Sequence, residues 1–201
     1  MLAEMLEDVV ASLARGPVLL LGHSVGGFTA ARLAATHPAL VRALILVDAG
    51  GFTSPGPLER LFCRVKGREL VTRLSEGAFA RVHTKGRNEG VSRMFARIDA
   101  ARRDAAYAST VAAVWRSFGS PEHDLTALAP SIVCPTLLLW GALDPVLPLE
   151  TSGRAAERAI PGARLAKLAT GHCPFVEDPA RFLAELGPFL ERVVSRGTPR
   201  P

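Results

Sequence analysis

The chain has little of several residues that mark whole classes of protein. Its cysteines, Cys63, Cys134 and Cys173, are odd in number and irregularly spaced. They form neither a disulfide framework nor a zinc-binding set, which points to a reducing compartment, the cytoplasm. Lysine is scarcer than arginine, which carries nearly all of the basic charge behind the net +5. The arginines are scattered, without interleaved aromatics or a groove-reading motif, so nucleic acid is excluded as a partner. No apolar run approaches the ~20 residues of a membrane-spanning helix, which excludes an integral membrane segment. The first residues, Met1 to Asp8, are acidic and amphipathic, whereas a signal peptide opens basic and continues apolar. Internal repeats, low-complexity tracts and metal-ligand clusters are all missing, so no metal or other cofactor is implied.

What remains is a chain of 201 residues with 48 % hydrophobic content. That is enough to bury a core, and one domain carrying an insertion is the natural expectation. The densest signal is Gly22-His23-Ser24-Val25-Gly26. The short apolar run Pro17 to Leu21 precedes it and reads as a buried strand, while Phe28 to Thr36 has helical composition and stops before Pro38. A G-x-S-x-G pentapeptide placed between strand and helix is a nucleophile elbow. The turn holds Ser24 in a strained backbone conformation, and side chains two positions to either side would collide. Ser24 then projects at a strand end and at a helix N-terminus, where free N–H groups favour developing negative charge.

A serine hydroxyl needs a base, and the base needs an orienting acid. Pro135 to Trp140 reads as a second buried strand leading into Gly141-Ala142-Leu143-Asp144-Pro145. Ala163 to Leu168 reads as a third strand, interrupted by Lys167, and Ala169-Thr170-Gly171-His172 follows. Ser24, Asp144 and His172 therefore all fall at strand carboxyl ends, where an open parallel sheet places its site. Asp48, at the end of the strand Ala43 to Val47, is the rival acid, with a loop-fixing role for Gly50-Gly51 as the alternative. His23 should point away from the serine, Cys173 should fill pocket or core, Trp140 should be a core aromatic, and Asp178 should cap the helix that opens with Pro179.

In Gly22-His23-Ser24-Val25-Gly26-Gly27, Trp140-Gly141-Ala142-Leu143-Asp144-Pro145 and Gly171-His172 with Glu177-Asp178-Pro179, the chain resembles the α/β-hydrolase fold family, in its serine-nucleophile, esterase-like branch. The order Ser, Asp, His is the family's order. The resemblance implies a serine hydrolase that acts on an ester or related carbonyl in a small-molecule substrate, through an acyl-enzyme. Ser24 would be the nucleophile, His172 the base, Asp144 the acid and the Val25 N–H an oxyanion donor. Carbon–carbon bond hydrolases and perhydrolases share the fold and stay open as alternatives.

The organisation expected is a partial α/β-hydrolase fold. Residues 1–51 hold the first part of the core, 52–131 a helical cap insertion, 132–194 the second part of the core and 195–201 a tail. Helical segments are expected around Leu58 to Arg64, Arg68 to Ala80 and Val91 to Phe118, with Phe79, Phe95 and Trp115 as candidate pocket walls. A crossover helix should span Leu149 to Ile160 and a last helix Pro179 to Val194, kinked or broken at Gly187-Pro188. Between Glu59 and Arg116 thirteen Lys or Arg face six Asp or Glu, a surplus suited to a solvated surface or to a basic lid that attracts anionic substrates or an acidic membrane. The family's N-terminal strands have no counterpart here, nor does the loop that supplies a second oxyanion donor. The Val18–Leu21 strand is then left with an open apolar edge. A truncated, catalytically weak or silent fragment is one expectation from this, and self-association through that edge is another.

Overall fold

A computed structural model describes residues 2–195 of the chain. The run-up to the elbow is α1 (Leu2–Leu13), β1 (Val18–His23) and α2 (Val25–Thr36), followed by β2 (Val41–Val47). Four helices come next: α3 (Pro57–Lys66), α4 (Glu69–His83), α5 (Glu89–Ala101) and α6 (Ala105–Ser117). The chain then returns to the sheet with β3 (Thr136–Gly141), α7 (Arg154–Ala159), β4 (Arg164–Leu168), α8 (Pro174–Glu177) and α9 (Pro179–Ser195). Of the expected tail, Ser195 closes α9 and the rest lies outside the described residues.

The four strands pair in the order β1-β2-β3-β4, all parallel. A parallel sheet covered on both faces needs apolar residues at consecutive positions. Leu44, Leu46, Leu138 and Trp140 pack on one face with Val10, Phe28, Leu33 and Ile160. The alternate positions Ala43, Ile45, Val47, Leu137 and Leu139 pack on the other with Phe182, Leu186, Phe189 and Val193 of α9. The register sets His23 opposite Val47, Val47 opposite Leu139, and Gly141 opposite Leu168, so the strands' carboxyl ends lie together.

Three local expectations are corrected. The segment from Val91 to Phe118 is two helices, because the Asp104 side chain accepts the Tyr107 N–H and starts α6 afresh. The crossover at Leu149 begins as a π-helical turn, Leu149–Gly153, before α7. Pro188 sits inside an unbroken α9. The ~3 kcal/mol cost of an interior proline is outweighed by the sheet-facing row on either side of it, and Arg42 donates to the carbonyls of Val193 and Val194 near the far end.

Among the described residues β1 is an edge strand that pairs with β2 alone. Leu19 and Leu21 are exposed on it, as are Met5, Val9 and Leu13 on α1, where only Val10 is fully buried.

Candidate active site

β1 delivers the chain into Ser24 at φ 52°, ψ −118°, a conformation that costs a non-glycine residue of order 1–3 kcal/mol. Backbone contacts from both sides hold it there. The Ser24 N–H donates to Val47 O at 3.0 Å, and Ser24 O accepts the N–H groups of Phe28 at 3.1 Å and Gly50 at 3.2 Å. The crowding of the turn differs in one respect from expectation. A Cβ at Gly22 would sit 2.4 Å from Gly26 O, and one at Gly27 2.5 Å from Ala49 Cβ, but one at Gly26 would meet open space. The tight positions are thus Gly22 and Gly27. Ser24 stands at the N-cap of α2 without its side chain capping anything, which leaves the hydroxyl free for other work. Val25, the first residue of α2, has no carbonyl within its own helix to receive its N–H.

Beyond β3, the Asp144 carboxylate accepts the Val146 N–H at 2.7 Å and meets His172 Nδ1 at 2.6 Å. Both residues are buried. His172 follows β4 on a loop fixed from two directions. Its N–H donates to His83 O at 2.8 Å, and the fit there is so close that a Cβ on Gly171 would lie 2.2 Å from that oxygen. Its carbonyl accepts from His23 Nε2 at 2.7 Å. The His23 ring thus braces the histidine loop, with ring centroids 4.8 Å apart. Burial and the neighbouring His172 push the His23 pKa down to about 4, and burial pushes His83 to about 4 as well. Both rings are then neutral near pH 7, which suits His23 Nε2 as a donor.

Asp48, with φ 40° at the end of β2, is fully buried beside this pair. Its Oδ1 accepts the Gly141 N–H at 2.9 Å, which ties β2 to β3, while no N–H or O–H donor reaches Oδ2. Burial and the charge of Asp144 raise its pKa well above the ordinary carboxylate range. A protonated Oδ2 would serve as a donor toward Asp144, and among the described residues no hydrogen bond joins the Asp48 side chain to the Gly50-Gly51 loop. Single donor atoms of Asp48, Asp144 and His172 lie within 4.8 Å of one another. A cation placed among them would have to displace the Asp144–His172 hydrogen bond.

One residue of the motif behind His172 holds the site together in a way the sequence did not assign. Glu177, buried at the end of α8, accepts four backbone N–H groups. Lys85, Gly86 and Gly171 donate to Oε2 at 2.8, 2.9 and 2.8 Å, and Cys173 donates to Oε1 at 2.9 Å. Two of these flank His172 and two belong to the α4–α5 connection, and Asn88 adds bonds to the carbonyls of Val176 and Glu177. Its partners are some ninety residues away in sequence on one side, so spacing offers no signal for it. Elsewhere Asp178 caps α9 through the Arg181 N–H, Trp140 is core with its Nε1–H on Leu147 O, and burial and the neighbouring Glu177 push the Cys173 thiol up to about 12.

Ser24 and Val25 line a cavity of about 640 Å³. Phe28, Phe62, Phe79, Trp115 and Phe118 wall it, Pro145 to Pro148 close another side, and His83, His123 and Glu59 add polar groups. Phe95 is not among the walls and packs instead against Arg81. Behind Phe79 and Trp115 the buried Lys66 ammonium is held by Ser75 and Glu76, 4.9 and 5.7 Å from the two ring centroids. Among the described residues no hydrogen bond joins Ser24 Oγ to His172. Such contacts are often long in unliganded sites.

A family model described as "Alpha/beta hydrolase family" matches residues 2–186. An uncharacterized protein of Mycobacterium tuberculosis is 31 % identical over 205 residues, which take in 92 % of this chain and 59 % of that protein. The pimeloyl-[acyl-carrier protein] methyl ester esterase of Chromobacterium violaceum is 30 % identical over 205 residues, covering 94 % of this chain and 76 % of the relative. Among solved structures, the enol-lactonase from Burkholderia xenovorans LB400 superimposes with a TM-score of 0.78 at 21 % identity, over 94 % of this chain and 71 % of that one. At that identity the likeness is one of fold.

Proposed function

The chain belongs to the alpha/beta hydrolase family, and from that premise we propose that it is a serine hydrolase acting on an ester or related carbonyl compound through an acyl-enzyme. The observation that carries the reading is Ser24, strained, uncapped and on the wall of an apolar cavity, in a chain that also hydrogen-bonds His172 to a buried Asp144. In the proposed mechanism Ser24 Oγ attacks the carbonyl carbon as its proton passes to His172 Nε2. Asp144 holds Nδ1–H and stabilises the imidazolium. The protonated imidazole then gives its proton to the departing alkoxide, leaving the acyl group on Ser24. Water attacks next by the same route, its proton passes through His172 to Ser24 Oγ, and the acid is released.

The Val25 N–H serves as one oxyanion donor. The Gly50 N–H does not supply the second, since it is committed to Ser24 O. Helices α3 to α6, within residues 52–131, act as the cap over the substrate. The aromatic walls suit an apolar acyl or aryl group, and a methyl ester esterase among the relatives supports an ester substrate. No described helix is long and apolar enough to cross a membrane, and the free cysteines agree with a cytoplasmic setting.

The test is covalent labelling with a fluorophosphonate. The folded chain should carry the probe on Ser24, and Ser24→Ala should carry none. Label on another serine, or an unlabelled chain whose fold is intact, overturns the assignment of the nucleophile.

A further inference from the structure

Helix α3 wears its apolar side outward. Leu58, Leu61, Phe62 and Val65 recur at the spacing of one helical face, yet they are 79, 54, 49 and 40 % exposed. The helix seats itself on its neighbours through a different face, where Cys63 and Lys66 are buried. Helix α4 repeats the pattern with Leu70, Leu74, Ala78 and Val82, each four residues from the last and each exposed. Phe62 of the first row also lies near Phe79 of α4, with ring centroids 6.3 Å apart. Phe62 and Val82 also line the Ser24 cavity while remaining exposed to solvent, which places them at its mouth.

The polar sides of the same helices are basic. Arg60, Arg64, Arg68 and Arg73 are exposed, and none forms an ion pair among the described residues, whereas Lys66 and Arg81 are matched by Glu76 and Asp99. An isologous contact between two copies would bring these arginines against one another, so the charge argues against a second copy as the occupant. An amphipathic helix with aliphatic and aromatic residues on one side and arginine on the other has the composition that lies in a lipid–water interface. Acidic headgroups would complement the arginines, and the apolar rows would enter the acyl boundary.

We propose that the exposed rows of α3 and α4 dock the chain onto an anionic lipid surface, with the mouth of the Ser24 cavity turned toward it. An apolar substrate could then pass from the interface into the aromatic-walled cavity without crossing water. That delivery role rests on the hydrolase reading, but the docking does not.

The experiment measures co-sedimentation of the full chain with vesicles of phosphatidylcholine, alone or mixed with phosphatidylglycerol. The chain should bind the mixed vesicles, bind phosphatidylcholine alone more weakly, and lose affinity as salt is added. The triple variant Leu58→Asp/Leu61→Asp/Leu74→Asp should raise the lipid concentration for half-binding about tenfold or more. Replacing Arg60, Arg64, Arg68 and Arg73 with Gln should do so on mixed vesicles alone. All of these positions are exposed, so circular dichroism should match the parent, and hydrolysis of a short water-soluble ester without vesicles should be unchanged. If the ester is not hydrolysed but the vesicle results stand, the hydrolase reading fails and docking survives. No binding to mixed vesicles, or equal binding by the parent and both variants, overturns the proposal. A dimer that sedimentation velocity detects in the parent and not in the triple leucine variant also overturns it, and assigns the face to a second copy.

Discussion

Replacing Glu177 should separate its bracing role from an ordinary surface glutamate's. In Glu177→Ala four buried or half-buried N–H groups, on Lys85, Gly86, Gly171 and Cys173, lose their acceptor at once. The donors on Gly171 and Cys173 are buried, and an unsatisfied buried donor costs about 1–3 kcal/mol, so these two alone lose about 2–6 kcal/mol, a large part of a domain's whole stability. Glu177→Gln is the informative partner. An amide oxygen at the Oε2 position keeps three of the four bonds, while the amide NH₂ faces the Cys173 N–H, donor against donor. That variant should lose about 1–3 kcal/mol and stay folded. Urea denaturation reads the global effect, and amide hydrogen exchange at the four donors reads the local one. Exchange at Gly171 and Cys173 should quicken together with that at Lys85 and Gly86, and kcat should fall in Glu177→Gln more than KM changes. If Glu177→Ala costs less than about 1 kcal/mol with all four amides still protected, the brace is not what holds this loop.

Asp144→Asn should cut turnover by orders of magnitude, on the order of 10⁴ in the best-studied triad, whereas Asp48→Asn should leave most of it, since an amide can still accept from Gly141 and donate toward Asp144. The reverse pattern in kcat would make Asp48 the acid. His23 binds its proton more weakly folded than unfolded, with its pKa pushed from 6.5 down to about 4. The stability linked to it is therefore present above pH 6.5 and drains away as pH falls toward 4, by about 3 kcal/mol at 1.36 kcal/mol per pH unit. Melting curves of His23→Gln should be flatter over that interval than those of the parent, and equal slopes would refute the linkage. Gly27→Ala drives a methyl group into Ala49 and should destabilise by several kcal/mol, on the scale of about 1–3 or more for overpacking, while Gly26→Ala should be neutral or stabilise α2 by up to ~1 kcal/mol; comparable losses in the two, read by urea midpoint, would contradict the crowding seen in the elbow. We also propose that this chain self-associates through the β1 edge. Leu19→Lys/Leu21→Lys should lower its sedimentation-average mass, and an unchanged, concentration-independent monomer in both would remove the edge from consideration.

The buried strands could be read from sequence because β2 and β3 are apolar at nearly every position, a pattern that a covered parallel sheet imposes and few other structures do. The elbow was legible for a similar reason, since a turn that tight admits few residues. Asp104 carried a start signal for α6 that a long apolar-and-basic stretch obscured. Phe95 looked like Phe79 and Trp115 in sequence, and only the packing of α5 sends it to Arg81 instead of the cavity. Glu177, His83 and the true neighbour of Asp48 were beyond reach. Each acts through backbone groups or carboxyl oxygens of residues distant in sequence, and a peptide N–H leaves no trace in the amino-acid code.

The contacts that force Ser24 into its conformation come from Val47 and Gly50, and those that place His172 come from His83 and Glu177. Neither residue is fixed by its own neighbourhood in the chain alone. The elbow must wait for β2 to dock, and the histidine loop must wait for the helices between β2 and β3 to close back on the sheet. A partly folded chain with β1 and α2 formed would therefore hold a relaxed, unreactive serine. On the proposed mechanism, the reactivity of Ser24 toward an electrophile would be a clock for the last long-range contacts to form. During synthesis, the hydroxyl would stay harmless until β4 and α8 had left the ribosome.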